Sequence, residues 1–197
     1  MIALQFVTEA GWSSALIRWF SHGAFSHVDA VLPEYGPHPH LVDIWGNCLL
    51  CAQGDLVARP DRLDCKGRDP QAGWLLGARF EGGVAIRPPG YGKFTRRQLV
   101  EIPATPLQEQ VFYGFLRRQL GKPSDWRAIL GFFFARDWRE AGQWYCSEVD
   151  ARGLEIAEVF RYLLAEPANK ITPPDLFSLI SVLVPLGRTS AAAGAAR

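Results

Sequence analysis

The stretch FSHVDAVL, residues 25–32, gives the clearest indication of the fold. From Val28 onward every second residue is apolar, and His27 and Asp29 occupy alternate positions. This period of two is typical of a β-strand, and it places His27 and Asp29 on one face of that strand. A strand is rigid, so it can hold an imidazole in position for proton transfer.

Other strands are predicted on both sides of this one. IALQFV (2–7) precedes it, and WLLGARF (74–80) leads through Gly82-Gly83 into VAIRP (84–88) as a hairpin. Two short apolar runs within 33–73 could be further strands. We therefore expect an antiparallel sheet of about five strands.

After Pro88 the pattern predicts helices, so the fold class is α+β, with an antiparallel sheet packed against helices. One shorter helix is also predicted earlier, from Ser13 to about Phe20. The predicted later helix starts are Thr105, with Pro106 and Gln108 forming a capping box, Ser124, Cys146, and Thr172 ahead of Pro173 and Pro174.

A chain of 197 residues suits a single domain, which we place at 1–188. The segment 33–73 is too long for an ordinary loop and is predicted to be an inserted elaboration. The Ala-rich residues 189–197 are predicted to be a disordered tail.

Composition excludes several function classes. The formal net charge of +1 gives no reason to expect a nucleic-acid partner. The longest apolar runs are shorter than the roughly 20 residues that span a bilayer. The start of the chain lacks the features of a targeting signal, so we expect a cytoplasmic protein with free thiols. The oligomeric state is left open.

Cys146 is the strongest candidate for chemistry. It lies in QWYCSEVDARGLE (143–155), at a predicted helix start. The positive end of a helix dipole and its unpaired N–H groups favour the reactive thiolate, and the same N–H groups can stabilise an oxyanion. The simpler interpretation is a small buried hydrophobic residue, the usual fate of a free cysteine.

His27 would be the base for that thiol. A catalytic cysteine needs an imidazole to take its proton and return it to the leaving group. The simpler interpretation of His27 is a strand histidine that only makes local hydrogen bonds. His22 lies in a Ser-His-Gly turn, which is a weaker position.

Taken together, these motifs resemble the permuted NlpC-type branch of the papain-like superfamily, the group that contains the YiiX-like proteins. In this branch the histidine strand precedes the cysteine helix. The resemblance covers most of residues 2–180 apart from the insert. The matching motifs are SHV (26–28), WLLGARFEGGVAIRPPGY (74–91), YCSE (145–148) and TPPDL (172–176).

The resemblance implies a circularly permuted papain-like fold and a cysteine hydrolase that needs no cofactor. Cys146 would attack an amide or peptide bond and His27 would be the base. The substrate would be a peptide or amide, with peptidoglycan stem peptides, as for a phage-borne enzyme, as one candidate.

The third catalytic residue is left open by the sequence. The family places a polar residue on the strand after the histidine strand, where this chain has Gly77. Asp29 is our candidate, because it shares a strand face with His27. Glu81, Asp43 or backbone support alone are the alternatives.

Two rival functions stay open. Relatives of this branch handle acyl chains, so a lipid thioesterase or acyltransferase is possible, with the aromatic segment 126–134 as its pocket. A non-catalytic binding module that kept the fold is the other.

A metal site is the weaker prediction for the insert. The cysteines have one CxxC spacing but no second one, and we expect thiols packed inside a subdomain and no bound metal. The residues concerned are Cys48, Cys51, Cys65, His38 and His40.

Overall fold

The computed structural model describes residues 1–33, 71–124, 144–159 and 170–184. Within these ranges the chain forms five strands and four helices. In chain order they are β1 (Ile2–Glu9), α1 (Trp12–Ser21), β2 (His27–Val31), β3 (Leu75–Arg79), β4 (Gly83–Arg87), β5 (Phe94–Ile102), α2 (Pro106–Arg118), α3 (Cys146–Ile156) and α4 (Pro173–Leu183).

The five strands form one antiparallel sheet in the order β4-β3-β2-β1-β5. The register pairs Val7 with His27 and Gln5 with Asp29. His27 therefore lies at the end of the sheet where β1 finishes and β2 begins. The chain makes the turn between these two strands through α1.

The helices enclose the central strands. Helix α3 packs against β2 and β3, while α2 packs on α3, and α4 contacts both α3 and β5. Phe6 of β1 packs edge-on against Phe177 of α4, with ring centroids 5.2 Å apart. Four of the five residues of β2 are buried, so this strand has no face left to solvent. This confirms the α+β class with an antiparallel sheet.

The helix caps follow local sequence rules. Thr105 caps α2 by accepting a hydrogen bond from the N–H of Gln108, and the Gln108 side chain accepts from the N–H of Thr105. Thr172 and Asp175 make the same reciprocal pair at α4. Both helix starts were predicted, because each cap uses side chains only three residues apart.

Two elements differ from the prediction. Residues 94–102 form β5, not a helix, and pair with β1 along its whole length. Helix α1 begins at Trp12 after Gly11, one residue before the predicted cap at Ser13.

The remaining predictions lie outside the described residues. They are most of the insert (34–70), the helix expected after Ser124, and the tail at 189–197. Among the described residues, no helix is long and apolar enough to cross a membrane.

Candidate active site

His27 is the first residue of β2 and is buried. Its ring Nε2 lies 2.9 Å from Oδ1 of Asp29, two residues further along the strand. Strand alternation makes this contact possible, because residues i and i+2 project from the same face. The predicted pairing of His27 with Asp29 on one strand face therefore has the geometry of a hydrogen bond.

Asp29 is fully buried and bonded on both carboxylate oxygens. Oδ1 bonds His27, and Oδ2 accepts a hydrogen bond of 2.6 Å from the hydroxyl of Tyr91. Burial alone would raise the pKa of this carboxyl. The His27 charge and these hydrogen bonds outweigh burial and lower it. Asp29 is therefore an anion in the folded protein.

Gly77 makes room for this carboxylate. A Cβ atom at position 77 would lie 2.1 Å from Oδ1 of Asp29, which is far inside van der Waals contact. The resemblance led us to expect an acid on this neighbouring strand. Here the acid belongs to β2 itself, and glycine on β3 leaves the space that it fills.

Cys146 is the first residue of α3 and only 3% of it is exposed. Cys146 lies close enough to His27 for its charge and hydrogen bonding to raise the pKa of the imidazole, so the thiol, the imidazole and the Asp29 carboxylate interact in one buried site. Two anchors fix the start of α3. Glu148 accepts from the N–H of Tyr145 at 3.3 Å, and Ser147 donates to the carbonyl of Ile171 at 2.5 Å.

The electrostatics of this site favour a charged imidazole. Burial would lower the pKa of His27. The charges and hydrogen bonds of Asp29 and Cys146 act against burial and raise the pKa to about 10. An imidazolium between a carboxylate and a sulfur is the arrangement that stabilises a thiolate nucleophile.

Tyr91 connects this site to two arginines. The guanidinium of Arg79 lies 4.8 Å from the centre of the Tyr91 ring, and that of Arg87 lies 5.6 Å away. Arg87 also donates to the carbonyl of Gly77 at 2.9 Å, which ties β4 to the strand beneath Asp29. No sequence pattern indicates a role for Tyr91. Its place after a Pro-Pro-Gly turn carries no local sign of a contact with residue 29.

Asp150 is a second buried carboxyl near the site, and the sequence analysis missed it as well. It lies one helical turn after Cys146, is fully buried, and has no hydrogen-bond partner among the described residues. Burial, together with the charges of Asp29 and Cys146, raises its pKa well above the usual value, although His27 acts in the opposite direction. The available signal was an acid at the i+4 position from Cys146, since those positions share a helix face.

The other candidates for the third catalytic residue lie either away from His27 or outside the described residues. Glu81 is exposed in the turn between β3 and β4. Asp43 and the cysteines and histidines of the insert lie outside the described residues. Within the described ranges, no group of three or more His, Cys, Asp or Glu residues could hold a metal ion.

Trp144 and Tyr145 directly precede the thiol in the chain. Trp144 packs edge-on against Phe115 at 5.7 Å and donates its indole N–H to Gln119 at 3.1 Å. Tyr145 is buried and its side chain hydrogen-bonds Cys146. Trp144 therefore joins α3 to α2, and Tyr145 contacts the thiol itself.

No protein-family model, curated protein or solved structure was found to match this chain. Any function assigned to the chain therefore depends on the arrangement of Cys146, His27 and Asp29.

Proposed function

We propose that the protein is a cysteine hydrolase with a circularly permuted papain-like fold. Cys146 is the nucleophile, His27 the general acid and base, and Asp29 the residue that orients the imidazole. The observation that carries the proposal is the buried His27–Asp29 hydrogen bond beside Cys146, whose charge and hydrogen bonding also act on His27. The chain order, with the histidine strand before the cysteine helix, supports the permuted assignment.

The reaction is acyl transfer in two steps. The Cys146 thiolate attacks the carbonyl carbon of an amide, and the new S–C bond produces an oxyanion that backbone N–H groups at the start of α3 can stabilise. The intermediate collapses, His27 gives its proton to the departing amine, and the C–N bond breaks. Water, deprotonated by His27, then attacks the thioester, which releases the carboxylic acid and restores the thiol.

The support for catalysis over a binding module comes from the amount of buried polar structure around one thiol. A cysteine that only fills space does not need a buried imidazole, a carboxylate with both oxygens bonded, and a glycine that clears space for that carboxylate. Burying these groups costs free energy unless each is paired, and here each is paired.

Trapping of the acyl-enzyme tests the proposal. Incubation with an activated ester such as p-nitrophenyl acetate should add one acetyl group to Cys146, as read by intact mass and peptide mapping. His27→Ala should slow acylation about 100-fold or more, the usual contribution of a general base.

The other three cysteines provide the internal control. Cys146→Ala retains Cys48, Cys51 and Cys65, and it should gain no acetyl group under the same conditions. Equal acetylation of all four cysteines in the wild type would contradict the proposal and leave the binding module as the better account.

A further inference from the structure

Helix α1 is amphipathic, but its polar side faces the protein and its apolar side faces outward. Its side toward the protein carries hydroxyls: Ser14 is buried and donates to Ser26 at 2.7 Å, and Ser21 is partly buried. Its opposite side is exposed and apolar, with residues spaced four, seven and eight positions after the first. These exposed residues are Trp12, Leu16, Trp19 and Phe20.

This stripe is a large apolar surface for so short a helix. Trp12 is 81% exposed and Trp19 is 68% exposed, and the rings of Trp19 and Phe20 touch edge-on at 4.6 Å. An amphipathic helix normally turns its apolar side to the core. A contiguous exposed stripe of this kind marks a surface that another phase or molecule covers.

Basic side chains lie near the stripe in the described part of the chain. Residues 10–24 contain no acid, and their ionisable side chains are Arg18 and His22. Exposed Arg96 and Arg97 stand on the neighbouring edge strand β5, opposite Thr8 and Val7 of β1, close to where α1 begins.

Among the described residues, Glu9 and Asp175 are the acids near α1. Pro174 lies against Gly23 just after the helix, and the adjacent Asp175 is engaged with Thr172 in the cap of α4. Glu9, at the end of β1, is bonded to Arg79 at 2.8 Å. The exposed Glu81 lies in the turn between β3 and β4, on the far side of the sheet from β5.

We propose that α1 is a docking surface for an anionic phospholipid membrane. Tryptophan favours the membrane–water interface, because its ring is apolar and its N–H can stay hydrated. An amphipathic helix with aromatic residues on one side and basic residues beside them lies in the plane of such an interface. The acidic lipid headgroups complement Arg18 and, at the end of the edge strand, Arg96 and Arg97, which project from opposite faces of the sheet.

The docking surface and the candidate active site share one end of the sheet. Ser26, which the buried Ser14 of α1 contacts, directly precedes His27, and His27 contacts Cys146. A protein held by α1 would thus bring this end of the sheet to the lipid surface. Docking itself needs no chemistry at Cys146, so each of the two proposals can fail without affecting the other.

Cosedimentation of the full chain with vesicles tests this inference. The wild type and Cys146→Ala should bind vesicles of phosphatidylcholine with phosphatidylserine, and bind phosphatidylcholine alone at least about tenfold more weakly. Added salt should weaken the binding. The Trp12→Ser/Trp19→Ser double variant should lose about tenfold or more in affinity.

Two further variants serve as control and as a second test. Leu107, at the start of α2 and the opposite end of the sheet, is also 68% exposed, so Leu107→Ser should bind like the wild type. Arg96→Gln/Arg97→Gln keeps every apolar contact of α1 and should weaken binding to the phosphatidylserine vesicles roughly twentyfold.

The inference is overturned if neither vesicle type binds the wild type, or if the double tryptophan variant binds as well as the wild type. Dimerisation that depends on Trp12 and Trp19, without vesicle binding, would assign the stripe to a second copy of the chain and also overturn it.

Discussion

Asp29 on β2 and Asp150 on α3 are two fully buried carboxyls with opposite behaviour. Both lie within electrostatic range of His27, and Asp150 also lies within range of Cys146. The pKa of Asp29 is lowered, because His27 and Tyr91 bond its two oxygens. The pKa of Asp150 is raised, because no described residue bonds it and burial dominates. The groups that bond each carboxyl, more than its burial, therefore determine whether it is ionised in the folded protein.

The difference also separates their roles. Asp29 is an anion that supports an imidazolium, which a thiol-based mechanism uses. Asp150 is a neutral acid behind the nucleophile, where a second anion would repel the thiolate. The site therefore combines one charged and one uncharged acid around a single Cys–His pair.

Asp29→Asn is the change with the largest expected effect on stability. It keeps the volume but removes the charge that faces a buried imidazolium. Breaking a buried ion pair on one side costs about 3–5 kcal/mol, so urea unfolding at pH 7 should show a loss of that size.

The pH dependence of the wild-type free energy of unfolding gives the sign of the His27 contribution. The folded pKa of His27 is raised to about 10, so its contribution to stability is complete below about 6.5 and is lost as the pH rises through 10. Without Asp29 this loss should begin at lower pH. If Asp29→Asn leaves the free energy of unfolding at pH 7 unchanged, His27 and Asp29 do not form a stabilising ion pair.

Asp150→Asn should change the free energy of unfolding at pH 7 by a smaller amount and in the opposite direction. The folded pKa of Asp150 is raised, so the unfolded chain gives up this proton more readily and the wild type loses stability as the pH rises above about 3.8. The variant should differ from the wild type by less than about 1 kcal/mol at pH 4 and be the more stable protein at pH 7.

Parallel unfolding series from pH 4 to pH 8 check this. Because Asp29→Asn is the same chemical change at an equally buried position, it is the matched control. If both variants lose stability equally at pH 7, the contrast between the two acids is wrong.

The sequence predicted the parts of the fold that depend on neighbouring residues. The caps at Thr105 and Thr172, the hairpin at Gly82-Gly83 and the strand period around His27 all use residues a few positions apart. Strand β5 was missed, because its pairing with β1 connects residues more than 80 positions apart. Thr95, Arg96 and Arg97 are exposed on this edge strand, so they lack the alternation of a half-buried one.

The same limit applies to the candidate site. The choice of Cys146, His27 and Asp29 followed from a helix start and one strand face, both local features. Tyr91 reaches Asp29 across 62 positions, and the space above Gly77 depends on how β2 and β3 pair. Neither contact can be recognised from the sequence around the residues involved.

The pH profile of Cys146 alkylation tests the central claim most directly. A small reagent such as iodoacetamide is needed, because only 3% of the residue is exposed, and peptide mapping reports Cys48, Cys51 and Cys65 in the same sample. If the His27 imidazolium assists the thiolate, wild-type Cys146 should be alkylated faster near neutral pH than its three counterparts in the insert. In His27→Ala this advantage should disappear, and the rate at Cys146 should rise with pH as it does for an ordinary free thiol. Identical profiles for the two proteins would show that Cys146 and His27 are not a functional pair.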